Sequence, residues 1–371
     1  MQGLISTIIP VFNRPELLQD AVDSVLAQTY RPIEVVVVDD GSTDEATPAL
    51  IRALEAAHPG VVIGVRRENG GPGAARESGR QVARGEFIQY LDSDDLLRPE
   101  KFAVQMAALR AHPECDIAYG KTHHSGVGDE LKPVAFKRTG ERIDTLFPAH
   151  LRSRWWSTST PLYRRSLTDR IGPWLPLWNE EDWEYEARAG RLDARLVYCD
   201  AFGSVTRWHD ERLHHDGETD PVKLASRAEA HILILRHAAD AGIGPDVPEM
   251  QHFARDLFRL CRACGAVGLG DESRRLFAAA AEASGPVRGK GFDFRIYCAA
   301  AALLGWARVA RLALRVQGLR GRCKRVPGRN GMVASLPRLG HGRHQISEKG
   351  VVGEALLQGS ESIGDHGRQD R

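Results

Sequence analysis

The stretch LISTIIPVFNRPELLQDAVDSVLAQTYRPIEVVVVDD, residues 4 to 40, decides the fold. It opens with LISTIIPV (Leu4 to Val11) and closes on IEVVVV (Ile33 to Val38), two unbroken β-branched runs of the kind that parallel sheets bury on both faces. Between them Leu18, Val22, Val25 and Leu26 fall on one helical stripe, with Asn13 placed as a cap and Pro15 near the first turn. Strand, helix and strand in so short a span imply a right-handed crossover.

The unit repeats. A helix from about Asp44 to Ala57 leads to VVIGV at Val61, one from about Pro72 to Arg84 leads to EFIQYL at Glu86, and one from Pro99 to Ala111 leads to DIAYG at Asp116. The alternation predicts an α/β fold: a doubly wound, mostly parallel sheet flanked by helices, with ligands at the carboxyl ends of the strands. From Lys121 to Trp178 the pattern weakens into loops and short elements, and beyond Val205 it becomes mainly helical. Three regions are expected: an α/β domain over 1–215, a helical appendage over 216–318 and a Gly- and Arg-rich, disordered tail over 319–371.

Bulk composition narrows the class. Hydrophobic residues at 42% and charged residues at 27% are those of a soluble globular chain, and 371 residues suffice for one large domain with an appendage. A net charge of +1 announces no nucleic-acid partner. Yet no acidic residue falls between Asp293 and Glu348, a segment that holds Arg308, Arg311 and Arg315, so an anionic surface is the partner expected there. Six scattered cysteines fit a reducing compartment, and the CxxC at Cys261 and Cys264 reads as two helix-face thiols rather than a zinc site. Without a basic start, a long apolar h-region or a run long enough to span a bilayer, the expected location is cytoplasmic, peripheral on the inner face of a membrane.

Three acidic clusters carry the chemistry. Asp39 and Asp40 close the second strand, Asp92, Asp94 and Asp95 close the fourth in YLDSDD, and Asp182 lies in NEEDWEYEARAG. Singly, each could be turn or cap chemistry. Strand ends of one parallel sheet share a rim, however, so the first two clusters converge on one cleft, and carboxylates that close need a cation with oxygen ligands. Mg²⁺ or Mn²⁺, held by one or two carboxylates and completed by substrate phosphates, meets that need.

Six strings then resemble the family 2 glycosyltransferases with the GT-A nucleotide-sugar fold: STIIPVFNRPELLQDAVDSVLAQTY, IEVVVVDDGSTD, NGGPGAARESG, GEFIQYLDSDDLLRPEKF, LYRRSLTDRIGPW and EEDWEYEARAG, in family order over roughly Leu4 to His209. The resemblance implies an inverting transfer from a nucleotide-diphosphate sugar, dependent on Mn²⁺ or Mg²⁺. It implies that Pro10, Val11 and Asn13 pack around the base, that Asp39 and Asp40 bond base and ribose, and that Arg76 reaches the nucleotide. Asp92, Ser93 and Asp94 form its DxD element, with Asp92 near the ribose, Asp94 a metal ligand and Asp95 assisting. Asp182, in the Glu181-Asp182 pair, becomes the catalytic base, and Arg207 and His209 reach the diphosphate or the metal. The implied partners are a nucleotide-diphosphate sugar and a saccharide or lipid-linked acceptor, in cell-surface polysaccharide synthesis. A non-catalytic nucleotide-sugar-binding protein on the same fold and a sugar nucleotidyltransferase remain alternatives.

Two features stay open at this level. Trp155 and Trp156 offer either a stacking platform for an acceptor sugar or core packing. The helix bearing Arg308, Arg311 and Arg315 beside Leu304, Leu312, Leu314 and Val316 either lies on an anionic membrane or packs on the domain with its arginines outward.

Overall fold

The computed structural model describes residues 2–125, 130–208 and 220–323, with side chains to Val316. Residues Met1–Lys324 form one compact unit, to which the description below is confined. Its first half runs β1 (Ile5–Val11), α1 (Pro15–Leu26), β2 (Ile33–Asp39), α2 (Ala46–Ala57), β3 (Val62–Arg66), α3 (Gly71–Val82), β4 (Phe87–Tyr90), β5 (Leu96–Leu97), α4 (Lys101–Ala111) and β6 (Ile117–His124). Then come β7 (Leu162–Arg164), α5 (Arg165–Ile171), α6 (Glu181–Arg191) and β8 (Leu196–Thr206). Six helices close the unit: α7 (Pro221–Asp240), α8 (Pro248–Ala266), α9 (Gly270–Ala283), α10 (Gly285–Arg288), α11 (Phe292–Leu304) and α12 (Trp306–Cys323).

The eight strands form one mixed sheet in the order β3-β2-β1-β4-β7-β6-β8-β5. β3, β2, β1 and β4 pair in parallel, as the buried β-branched runs require, and β1 and β2 are buried along their whole lengths. β7 enters antiparallel to both β4 and β6, which closes the parallel half against the second half. The expected sheet is therefore present, with two differences. β7 occupies the stretch that sequence reads as loop, being three residues long and too short for a periodic signal. β8, eleven residues long, was not expected at all: its central residues are partly exposed, and a bulge at Lys121 of β6 breaks the register against it.

Helices α7, α8, α9, α11 and α12 build their own apolar core, which Phe147, Leu151, Trp183 and Ala187 of the α/β part enter. Trp183 follows Asp182 directly in α6, so the helical region buttresses the element that carries the proposed base. Cys261 and Cys264 are free and buried in this core, where burial raises both thiol pKa values, that of Cys264 to about 12. They are packing residues on the helix face. α12 continues to Cys323, past the Gly318 at which the sequence pattern ends. The remainder of the 319–371 tail, His209 and the 214–215 histidine pair lie outside the described residues.

Candidate functional site

The carboxyl end of β2 is shaped by its two aspartates. Asp40 accepts from the backbone N–H of Gly70 (3.1 Å) and Gly71 (2.8 Å) and from Arg67, which fixes the entry to α3. Gly71 has φ +85° and a Cβ there would lie 3.1 Å from the Trp178 ring, while a Cβ on Gly73 would lie 2.1 Å from the Leu175 carbonyl oxygen. Both positions need glycine, one for conformation and one for close approach. Asp39, 2% exposed, accepts from Ser42 N–H at 2.8 Å through Oδ1. Its Oδ2 lies 3.3 Å from Arg66 yet accepts no hydrogen bond. A buried carboxylate oxygen left so is suited to a donor from a bound ligand. Beside it opens a cleft of about 670 Å³ lined by Gly41, Arg66, Arg67, Glu68 and Asn69.

Pro10 and Val11 are buried within β1, where the Val11 carbonyl accepts from Asp40 N–H at 2.9 Å. Asn13, at φ 54°, spends its amide on the β2–α2 loop: its Oδ1 accepts from the N–H of Thr43 (2.8 Å) and Asp44 (3.2 Å). These three shape the rim from behind.

At the end of β4 the four DSDD residues diverge in role. Asp95 is buried: Ser159 and Thr206 hydroxyls donate to Oδ2 (3.0 and 3.3 Å) and Arg207 N–H donates to Oδ1 (3.3 Å). With both oxygens engaged it ties the turn to the β8 end, which disfavours it as a metal ligand. Asp92 and Asp94 face outward more, their side chains 33% and 17% exposed, with Arg76 at 2.6 Å from the first and Arg14 at 3.2 Å from the second. Ser93 between them is buried. Arg207 donates to the Asp94 carbonyl (2.6 Å) and to Asp20 (2.5 Å), so its guanidinium braces the turn against α1. The two outward carboxylates supply hard oxygen donors for a divalent ion. Among the described residues no three His, Cys, Asp or Glu side chains gather as a complete cage, so such an ion would need substrate phosphates and water to complete its shell, the habit of Mg²⁺ and Mn²⁺.

Arg76 joins this rim to the third acidic cluster. Buried in α3 and lying over the Trp174 ring, it donates to Asp92 at 2.6 Å and to Glu181 at 2.5 Å. Burial and the neighbouring Asp182 push the Glu181 carboxyl up to about 7, against the pull of Arg76. Asp182 opens α6 beside it. The Trp183 N–H donates to its Oδ1 at 2.7 Å, and Arg154 contacts its Oδ2. Arg154 is in turn clamped by Glu186, at 2.6 Å from Nη2 and 3.1 Å from Nε. Glu180, at φ 59°, anchors the start of α6 by pairing with Arg227 and His231 of α7.

Arg154, Glu186 and Arg14 were not singled out by the sequence. Arg154 sits in SRWWSTST, where adjacent tryptophans draw attention and a lone arginine gives no signal of its partner 28 residues on. Trp155 and Trp156 are 1% and 0% exposed and pack against Tyr119, Arg138 and neighbouring core side chains. They are core residues, and the sugar-stacking reading fails for both.

Residues 6–171 match the family described as glycosyl transferase family 2. An uncharacterised glycosyltransferase of Nostoc sp. is 31% identical over 216 residues, covering 56% of this chain and 63% of its own. The succinoglycan biosynthesis protein ExoO of Rhizobium meliloti is 42% identical over 97 residues, 26% of this chain and 27% of its own. The chain spans 21% and 63% of the length of two curated relatives it matches, and 17% of that of a third. Among solved structures, S. aureus TarS 1–349 in complex with UDP-GlcNAc aligns with a TM-score of 0.60 at 22% identity, over 85% of this chain and 92% of that one. That likeness is one of fold. The family match thus falls on the α/β part of the chain, whose sheet has the GT-A fold.

Proposed function

We propose that the protein is a metal-dependent, inverting glycosyltransferase that moves a sugar from a nucleotide-diphosphate donor to an acceptor hydroxyl. The observation that carries this reading is the bridge Asp92–Arg76–Glu181, which fastens the DxD strand end to the helix start bearing Asp182. On this reading a cation-bound diphosphate sits at Asp92 and Asp94, with the carboxylate of Asp182 across from it. The nucleotide is read by Asp39 and Asp40 at the β2 end, next to the cleft at Arg66 and Arg67. Asp92 and Asp94 would hold Mn²⁺ or Mg²⁺, which when bound offsets negative charge on the departing diphosphate. Asp182 takes the proton from the acceptor hydroxyl as that oxygen attacks the anomeric carbon from the face opposite the leaving group, and inversion follows. UDP-GlcNAc in TarS and the succinoglycan role in ExoO's name support a nucleotide sugar as donor and a saccharide or lipid-linked saccharide of a cell-surface polysaccharide as acceptor.

The Arg154 contact favours a second reading, a non-catalytic nucleotide-sugar-binding protein, because a carboxylate held by a guanidinium is a weakened base. One experiment separates them. A thermal-shift screen of nucleoside diphosphates and their sugar conjugates, with and without Mn²⁺, identifies the donor through its stabilisation of the folded state. Donor turnover is then followed by release of nucleoside diphosphate. Mn²⁺-dependent release supports the transferase; binding without turnover under any acceptor supports the second reading; conversion of the donor with added pyrophosphate to nucleoside triphosphate and sugar 1-phosphate would instead indicate a nucleotidyltransferase.

A further inference from the structure

α11 is apolar on two opposite sides. At about 100° per residue, Phe294, Tyr297 and Ala301 fall on one side and are buried in the helical core. The other side carries Phe292, Ile296, Ala299 and Leu303, all exposed, Phe292 at 78% and Leu303 at 85%. A helix with apolar side chains on two opposite sides has a second apolar environment to meet. Large side chains this exposed, in register over the length of one helix, are not the scattered single residues of an ordinary surface.

The charge around this stripe is net positive. Arg288, Lys290 and Arg295 flank its start and are exposed. Asp293, the carboxylate within α11, is neutralised by Arg288 at 2.8 Å. At the other end Leu304 lines a cleft of about 450 Å³ together with Arg274, Arg308 and Arg311. Asp271 also lines it and is paired with Arg274 at 3.0 Å, which leaves an excess of guanidinium charge. Along α12, Arg308, Arg311 and Arg315 follow one another at helical spacing, with exposed Leu312 and Val316 beside them. Apolar side chains that end at a rim of guanidinium groups match the interface of a lipid bilayer, with acyl chains beneath and anionic phosphates above.

We propose that the exposed face of α11, together with the arginine-lined cleft at the α11–α12 corner, docks this protein on an anionic lipid bilayer, α11 lying in the plane of the interface. Among the described residues no helix is long and apolar enough to cross a membrane, so the attachment is to one leaflet surface. Phe292, Ile296 and Leu303 enter the acyl boundary, and Arg308 and Arg311 take headgroup phosphates. The inference is independent of the sugar-transfer reading: its readout is lipid binding, and it stands or falls whether or not a donor turns over.

The test is co-sedimentation of the full chain with phosphatidylcholine vesicles, with and without phosphatidylglycerol, at low and high salt. Binding is expected to anionic vesicles at low salt and to weaken as salt screens the arginines. The triple variant Phe292→Ser, Ile296→Ser, Leu303→Ser should bind at least tenfold more weakly with its melting temperature unchanged, since all three side chains are exposed. Should that variant misfold, Leu303→Ser alone should still weaken partitioning severalfold. Arg308→Gln with Arg311→Gln should lower the preference for anionic over neutral vesicles, roughly ten- to thirtyfold for two arginines. No binding at low salt would overturn the proposal. So would undiminished binding of the triple variant, which would locate the attraction in the basic 319–371 segment. A dimer that Ile296→Ser converts to monomer would assign the face to a second copy of the chain.

Discussion

The two halves of the candidate site are built differently. On the donor side, carboxylates follow their strands directly: Asp39 and Asp40 end β2, and Asp92 to Asp95 come just after β4, so that strand direction alone brings them to one rim. On the acceptor side the charged partners come from far along the chain. Asp182 is held by Arg154, 28 residues away, and its neighbour Glu181 by Arg76, 105 residues away. The first half is a consequence of topology, the second of side-chain pairing across the core. Substitutions in the two halves should therefore fail in different ways, donor binding in the first and transfer in the second.

The largest expected effect is on the acceptor side. Asp182→Asn removes the proposed base while leaving an acceptor for the Trp183 N–H, so transfer should fall by about 10² to 10⁴-fold with donor affinity intact. Donor-consumption kinetics beside calorimetric titration of the nucleoside diphosphate measure both; normal turnover would remove Asp182 from the reaction. Asp94→Ala belongs to the donor side and should abolish the Mn²⁺-dependent part of donor affinity, read as loss of the Mn²⁺-induced thermal shift. An unchanged shift would place the cation elsewhere.

Arg76 tests the seam between the halves. Arg76→Met leaves the buried Glu181 without its cation, and Asp92 at the rim without its partner, which costs about 3–5 kcal/mol, chiefly at Glu181. Urea denaturation measures it. A loss near zero would mean that the carboxylates are solvated or protonated without Arg76 and that the bridge does not organise the site. Gly73→Ala should cost less, about 1–3 kcal/mol, because the Leu175 carbonyl must move aside for a new Cβ. Its diagnostic feature is that donor binding weakens along with stability, since α3 and the loop before α6 separate together.

The same contrast explains what could be read in advance. β1 to β4 were legible because buried parallel strands write continuous β-branched runs, and the first two acidic clusters because they sit at the ends of those runs. Arg154 was not, since its importance lies in facing Asp182 and Glu186, which no spacing announces. Trp155 and Trp156 misled for a related reason: an aromatic pair near an acidic motif has the same composition in a sugar platform and in a core, and only burial separates them. Asp95 sits in the same acidic string as Asp94, yet it faces inward to Ser159 and Thr206, residues from distant parts of the chain.

The smallest expected effect concerns a residue that underlies the donor half. Lys101, at the start of α4 and 2% exposed, donates to the side-chain oxygens of Gln89 and Gln105, both at 2.5 Å, and so ties the strand that ends in the DxD turn to the helix behind it. Burial lowers its pKa from the ordinary 10.5 to about 7. Between those values the unfolded chain binds a proton that the folded chain does not, so stability rises with pH above 7, with a limiting slope of about 1.4 kcal/mol per pH unit. Lys137, lowered to about 8, acts in the same direction, whereas the buried Cys199 thiol, raised from 9.0 to about 11, opposes it only above pH 9. Urea melts at pH 7, 8 and 9 should therefore show a steeper gain for the wild type than for Lys101→Met. Parallel slopes would mean that the amine stays charged between its two amides, and that the floor of the donor site is held by an ammonium rather than by a neutral donor.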